Sequence, residues 1–211
     1  MPVGEPGGRW IDPASVNNRE RYHLMTSLIV PRPIGWISTR SRLGVANLAP
    51  FSYFNALAAT PMLVGVSIGH RRSSPKDTLH NIRESGVFCV NVVTEGQLEQ
   101  MNQSAGDHPP EVDEFELVGL PLAEGELVAA PYVANCPAVF ECRVSQEVEL
   151  QGGTASLIIG EVLGIRLSNE LEMEEGTLRV TPESLRPVGR LGGDLYCTSR
   201  EIMVVPRTAV I

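Results

Sequence analysis

The chain has 211 residues, 43% of them hydrophobic, and no apolar run approaching a membrane span, which reads as a single soluble globular domain and excludes a membrane partner. Its net charge of −8 argues against nucleic-acid binding, because a phosphate backbone rewards excess lysine and arginine. Four cysteines without C-x-x-C spacing exclude a zinc knuckle or redox pair, and disulfides are not expected in the reducing cytoplasm where this protein is placed.

The first residues, MPVGEPGGRWIDP, lack a basic stretch followed by an apolar one, so no secretory signal is expected. Residues 1–20 read as a flexible lead-in and 21–211 as one domain. Pro31 and Pro33 bracket Arg32 and preset an extended entry into Pro33–Arg40, where Ile34, Trp36 and Ile37 are followed by Ser38 and Thr39. Arg42-Leu43-Gly44 makes a turn, and residues 45–54 form a second extended stretch. Pro50 in its middle marks an edge or a bulge. Residues 62–68 form an almost wholly apolar strand, covered on both faces.

A basic loop, RRSSPKDT, leads into a short helix over 75–86. Asp77 is expected to cap it, Leu79 and Ile82 share a face, and Gly86 ends it. Residues 87–93 form a buried strand containing Cys89. A polar helix over 95–104 follows, and then an acidic, proline-bearing loop over 106–114. Asp107, Glu111, Asp113 and Glu114 in that loop read as a solvated cluster. Two long strands, 139–150 and 155–167, flank the hairpin turn Gly152-Gly153, and the tail carries RPVGRLGGDLY. Many strands, short helices and no βαβ rhythm predict a mainly β fold, a mostly antiparallel barrel.

Lys76 is the one lysine among seventeen basic residues. It sits at a loop-to-helix junction beside Ser73, Ser74 and Thr78, with Arg71 and Arg72 upstream. Free N–H groups and the positive dipole end of a helix suit a phosphate, as does a lysine. A solvated basic loop fits that segment equally well. Charge is unevenly spread: residues 1–83 carry a net +6 and residues 84–211 a net −14. The polar clusters around Ser38-Thr39 and Asn47–Ser52 can line a cleft for a planar heterocycle, with Trp36 or Phe51 on its apolar part, although core packing is the commoner role of such aromatics. No metal-spaced histidine pair, G-x-S-x-G or G-x-G-x-x-G is present, so neither a metal site, a hydrolase triad nor a Rossmann domain is expected.

Taken in order, RPIGWIST, NLAPFSYFN, S-x-K-D-T-L-x-N-I and RLGG-x-x-Y resemble the flavin reductase-like family, whose fold is the FMN-binding split barrel, a Greek-key-like antiparallel barrel, and in particular its flavoredoxin-like branch. The resemblance implies FMN at a homodimer interface. By position, Trp36, Ile37, Ser38 and Thr39 would line the flavin ring from the first strand. Asn47, Leu48, Ala49 and Ser52 would meet the ring and ribityl chain from the second, and Lys76, Asp77 and Thr78 would form the phosphate end. Gly192, Gly193 and Tyr196 match the late motif.

The activity so implied is an NAD(P)H-dependent flavin reductase, with hydride passing from the nicotinamide to flavin N5 and electrons passing on to an acceptor or a partner oxygenase. No side chain is expected to act as a catalytic proton donor. A non-enzymatic flavin-binding electron carrier and a cofactor-free structural or regulatory barrel are the alternatives.

Overall fold

The computed structural model describes residues 7–70, 74–150 and 152–206. Arg71, Arg72 and Ser73 of the basic loop lie outside the described residues. The chain enters through α1 (Asn18–Leu28), which starts inside the segment read as a flexible lead-in. Its start is fixed by a reciprocal cap: Asn17 Oδ1 accepts from Glu20 N at 3.0 Å and Asn17 N donates to Glu20 Oε2 at 2.9 Å.

The strands then follow as β1 (Arg32–Pro33), β2 (Gly35–Arg40), β3 (Ala46–Phe51), β4 (Phe54–Ala59) and β5 (Met62–Gly69). Next come α2 (Asp77–Ser85), β6 (Val87–Val92), α3 (Leu98–Gln103) and α4 (Glu114–Leu117). The second half holds β7 (Leu122–Glu124), β8 (Pro131–Val133), β9 (Ala138–Glu149), β10 (Ala155–Leu167), α5 (Pro182–Leu185), β11 (Val188–Arg190) and β12 (Tyr196–Thr198).

Seven strands make one antiparallel sheet in the order β3-β2-β6-β9-β10-β5-β4. Both of its faces are apolar because the side-chain period of a strand is two. Trp36 goes to a core with Leu48, Cys89, Met101 and Phe115, while its neighbour Ile37 goes to a second core with Phe51, Phe88 and Ile158. The second core also holds Val64, Val66 and Ile68 of β5, so β3 and β5, far apart in strand order, pack around one interior and the sheet curls into a barrel. The small sheet β1-β11-β12 ties the tail back to the start, with Arg32 opposite Arg190.

Three expectations change. The stretch 45–54 is two strands, not one: the chain bends at Ser52-Tyr53, and β4 returns as an exposed edge beyond β5. Asp77 is not the cap of α2; the cap position is Lys76, with no side-chain cap hydrogen bond, and Asp77 is the first helical residue. The acidic cluster is not uniformly solvated, since Glu114 is buried and Asp113 caps α4 by accepting from Phe115 N at 2.8 Å. Gly86 does end α2, in the left-handed region at φ 72° that glycine alone adopts without strain.

Candidate functional site

The site is organised by β3 at one end of the sheet. Its inner edge pairs with β2, with Ala49 opposite Ile37. Its outer edge carries the Leu48 N–H, which donates to Glu114 Oε2 at 3.0 Å. The alternation of an antiparallel ladder turns the Pro50 carbonyl to the same outer side, and proline has no N–H that would need a partner there. An edge strand with proline at this position offers main-chain acceptors beside a groove without inviting another strand to pair.

A buried polar network fixes that strand against α2. Thr78 Oγ1 donates to Asn47 Oδ1 at 2.8 Å, and Thr39 Oγ1 donates to the same oxygen at 3.3 Å. Asn81 Nδ2 donates to Thr39 Oγ1 at 3.0 Å, and Asn47 Nδ2 donates to Glu114 Oε2 at 3.1 Å. The four elements β2, β3, α2 and α4 thus meet in hydrogen bonds that are worth most where water is excluded. Burial pushes the Glu114 carboxyl up from its ordinary value, partly offset by the bonds from Leu48 N and Asn47.

Two compartments lie along β3. The proximal one, about 60 Å³, is lined by Asn47, Lys76, Asp77, Thr78, Gly106 and His108 among others. The distal one, about 190 Å³, is lined by Tyr22, Ile34, Ser52, Asn102, Arg190 and Tyr196 among others. Pro50 and Ala105 belong to both, so the two form one groove. From Asn47 to Ser52 the strand covers about 17 Å, long enough for a ligand with a phosphate at one end and a fused ring at the other.

The side chains singled out from the sequence divide sharply. Ala49, Ser52, Lys76, Asp77 and Thr78 border the groove, with Asn47 at its proximal end. Lys76 is exposed, its Nζ 5.5 Å from the centroid of the Phe51 ring. The side chains of Trp36, Ile37, Ser38, Thr39 and Leu48 are interior instead. Trp36 donates its indole N–H to Ser104 Oγ at 2.9 Å, and Ser38 donates to Pro131 O at 2.6 Å. What these residues contribute beneath the groove is support.

Sequence reasoning missed Glu114, the Ser104–His108 turn and Tyr22. Arg190 and Tyr196 were legible only as part of the glycine-rich tail motif, whereas nothing local distinguishes Glu114 from the other acidic residues around it.

Larger hollows occur elsewhere. One of about 510 Å³ borders Glu95, Arg186 and Arg200, where the Glu95–Arg200 ion pair at 2.6 Å already satisfies the charge. Another of about 530 Å³ lies between α1 and Leu191–Leu195. The β3 groove differs from both in joining an exposed lysine and a helix start to a partly apolar compartment, so chemistry outweighs size here. Cys89, Cys136 and Cys142 are buried, and burial pushes the Cys136 thiol up to about 11 and Cys142 up to about 12, which makes them inert packing groups.

Residues 25–185 match the model of the flavin reductase like domain. Nitrilotriacetate monooxygenase component B from Bacillus cereus superposes with a TM-score of 0.90 at 32% identity, over 95% of this chain and 100% of that one. The 2-nitrobenzoate 2-nitroreductase of Pseudomonas fluorescens gives 0.87 at 30% identity, over 96% and 98%. A split-barrel protein from Shewanella frigidimarina gives 0.82 at 24% identity, over 95% and 100%, and supports the split-barrel fold.

Proposed function

The chain belongs to the flavin reductase-like family, and we propose that it binds FMN along the β3 groove and acts as an NAD(P)H-dependent flavin reductase that passes electrons to an acceptor. The observation that carries this reading is the groove itself, with an exposed lysine and an uncapped helix start at one end and a wider, partly apolar compartment at the other.

The residues present fit FMN. Lys76 supplies the charge for a phosphate, and the first-turn N–H groups of α2 lack a side-chain cap that would compete with it. Asn47 and Thr78, locked to each other, hold the α2 start at a fixed distance from β3. Ala49, Pro50 and Ser52 offer small side chains and main-chain polar groups to a ring system, and Trp36 and Ile37 on the paired strand β2, packed into the cores on its two faces, hold β3 in place. When bound, FMN supplies the hydride-accepting and electron-donating chemistry. The protein's part is to position the cofactor, shield it from water and set its electrostatic surroundings; no side chain is assigned a proton.

A homodimer completes this reading, with residues 21–211 of each copy as one domain. The two compartments are small beside ligand pockets of about 300–1,000 Å³, so a second wall is required. The outer edge of β4 is unpaired among the described residues, and Leu57, Met62, Leu163 and Ile165 leave an apolar surface on the strands near it. The resemblance to a monooxygenase component supports a partner oxygenase as the electron acceptor, and the resemblance to a nitroreductase supports direct reduction of a small acceptor.

Steady-state oxidation of NADH and NADPH, with and without added FMN, tests the activity. Flavin-dependent turnover is expected. Tight flavin binding without turnover would make the protein an electron carrier instead.

A further inference from the structure

The hollow of about 530 Å³ between the end of α1 and the turn joining β11 to β12 shares no lining residue with the β3 groove. His23, Thr26 and Val30 stand on one side of it and Leu191, Gly193 and Leu195 on the other, and no Asp, Glu, Lys or Arg lines it. Its two walls are fastened together beforehand. The buried Arg32 donates to Thr26 O at 2.6 Å and Ile29 O at 2.9 Å on the α1 side, and to Leu191 O at 3.0 Å on the other.

The surface around this hollow is apolar and open to water. Val30 and Leu195 at its edges are exposed, as are Leu28 and Ile29 at the end of α1. α1 is eleven residues long, with Thr26 as its buried residue. A helix of that length is marginal in water unless an apolar face is covered.

The tail supplies a segment of matching character. Arg200 is anchored to Glu95, Nη2 to Oε2 at 2.6 Å. Beyond it Ile202, Met203, Val204 and Val205 are 47%, 89%, 87% and 82% exposed. Four consecutive apolar side chains left in water mark a contact surface. Within its own copy the tail starts at the wrong end to cover the hollow. Val188 pairs with Thr198 and Arg190 with Tyr196, so the tail leaves the β11–β12 hairpin at the end opposite the Leu191–Leu195 turn. Ile202 lies beside Glu95 and Arg186 at that end.

We propose that the hollow between α1 and the Leu191–Leu195 turn is the docking site for Ile202–Val205 of a second copy of this chain. Each copy gives its tail and receives the other's, so one exchange covers both apolar surfaces and closes a two-fold dimer. An uncharged contact also suits two chains that each carry a net charge of −8. This rests on the homodimer reading and not on the flavin, and it adds to the dimer a contact apart from the β4 edge.

Two measurements on the full-length protein test it. Sedimentation over a concentration series compares wild type with a variant carrying both Met203→Asp and Val204→Asp, side chains whose exposure leaves the fold of each copy undisturbed. The dimer dissociation constant is expected to rise about tenfold or more. Separately, Leu195→Cys and Val204→Cys are combined in a Cys197→Ser background and oxidised; the remaining cysteines, Cys89, Cys136 and Cys142, are buried. A disulfide between chains is expected, seen as a species of twice the chain mass that neither introduced cysteine forms alone. An unchanged dissociation constant, a disulfide closed within one chain or no disulfide at all would overturn the proposal. A wild-type protein that is monomeric throughout would overturn the homodimer reading with it, whereas a dimer indifferent to the tail would overturn this contact alone.

Discussion

Asn47 Nδ2 and the Leu48 main-chain N–H, on adjacent residues of β3, donate to the same carboxylate oxygen of Glu114, at 3.1 and 3.0 Å. One buried carboxyl from α4 therefore anchors both the side-chain network behind the groove and the outer edge of the strand that floors it.

Removing that anchor leaves two buried donors without partners. Glu114→Ala should lower stability by about 1–3 kcal/mol, read by denaturant unfolding at neutral pH. The carboxyl has a further pH signature. Its folded-state pKa is raised by burial, so the native protein holds this proton to higher pH than the unfolded chain does. Its contribution therefore favours the fold at low pH and fades as pH rises from the ordinary carboxylate value through the raised one. Glu114→Gln, which cannot titrate, should flatten the unfolding midpoint across that window relative to wild type; an unchanged slope would remove Glu114 from the account.

The Thr78–Asn47 bond at 2.8 Å couples the start of α2 to β3. Thr78→Val should cost about 1 kcal/mol of stability and weaken FMN binding several-fold, whereas Thr78→Ser should restore both. A loss of stability with FMN affinity intact would separate the network from the ligand.

Close packing of the sheet gives a paired test of the fold. A Cβ on Gly160 would lie 2.4 Å from Cζ of the fully buried Phe88 ring, and one on Gly164 would lie 2.6 Å from Cδ1 of the exposed Leu127. The ring has nowhere to go, while the leucine can swing into solvent. Gly160→Ala should destabilise by about 1–3 kcal/mol. Gly164→Ala should stay within about 0.5 kcal/mol, as surface changes do. Thermal unfolding of the two variants decides it.

Lys76 should read the phosphate and nothing else of the ligand. Lys76→Ala is expected to weaken FMN binding about tenfold or more and to leave riboflavin binding nearly unchanged. Titrating both ligands against both proteins checks this, and equal losses would move the lysine away from the phosphate.

The interior of the fold was largely legible because β2, β5, β6, β9 and β10 announce themselves by apolar runs or alternation. The outer strand β4 did not: Asn55-Ala56-Leu57-Ala58-Ala59 has weak strand propensity and is held chiefly by pairing with β5. Of the candidate site, the sequence displays the solitary lysine, Lys76, and the edge proline, Pro50, both of which border the groove. What the sequence does not display is the face of each side chain: the two-residue period sends Trp36 and Ile37 inward, to different cores. Glu114 was hidden because its burial depends on β3, 66 residues away in the chain.

FMN binding in the β3 groove is what every other prediction about the ligand depends on. The most direct measurement is the visible spectrum of the purified protein after incubation with FMN and removal of free ligand, followed anaerobically on addition of NADH and NADPH. Retained flavin absorbance that bleaches with one of the nucleotides is expected. A protein that emerges without flavin absorbance after saturation with FMN would contradict it.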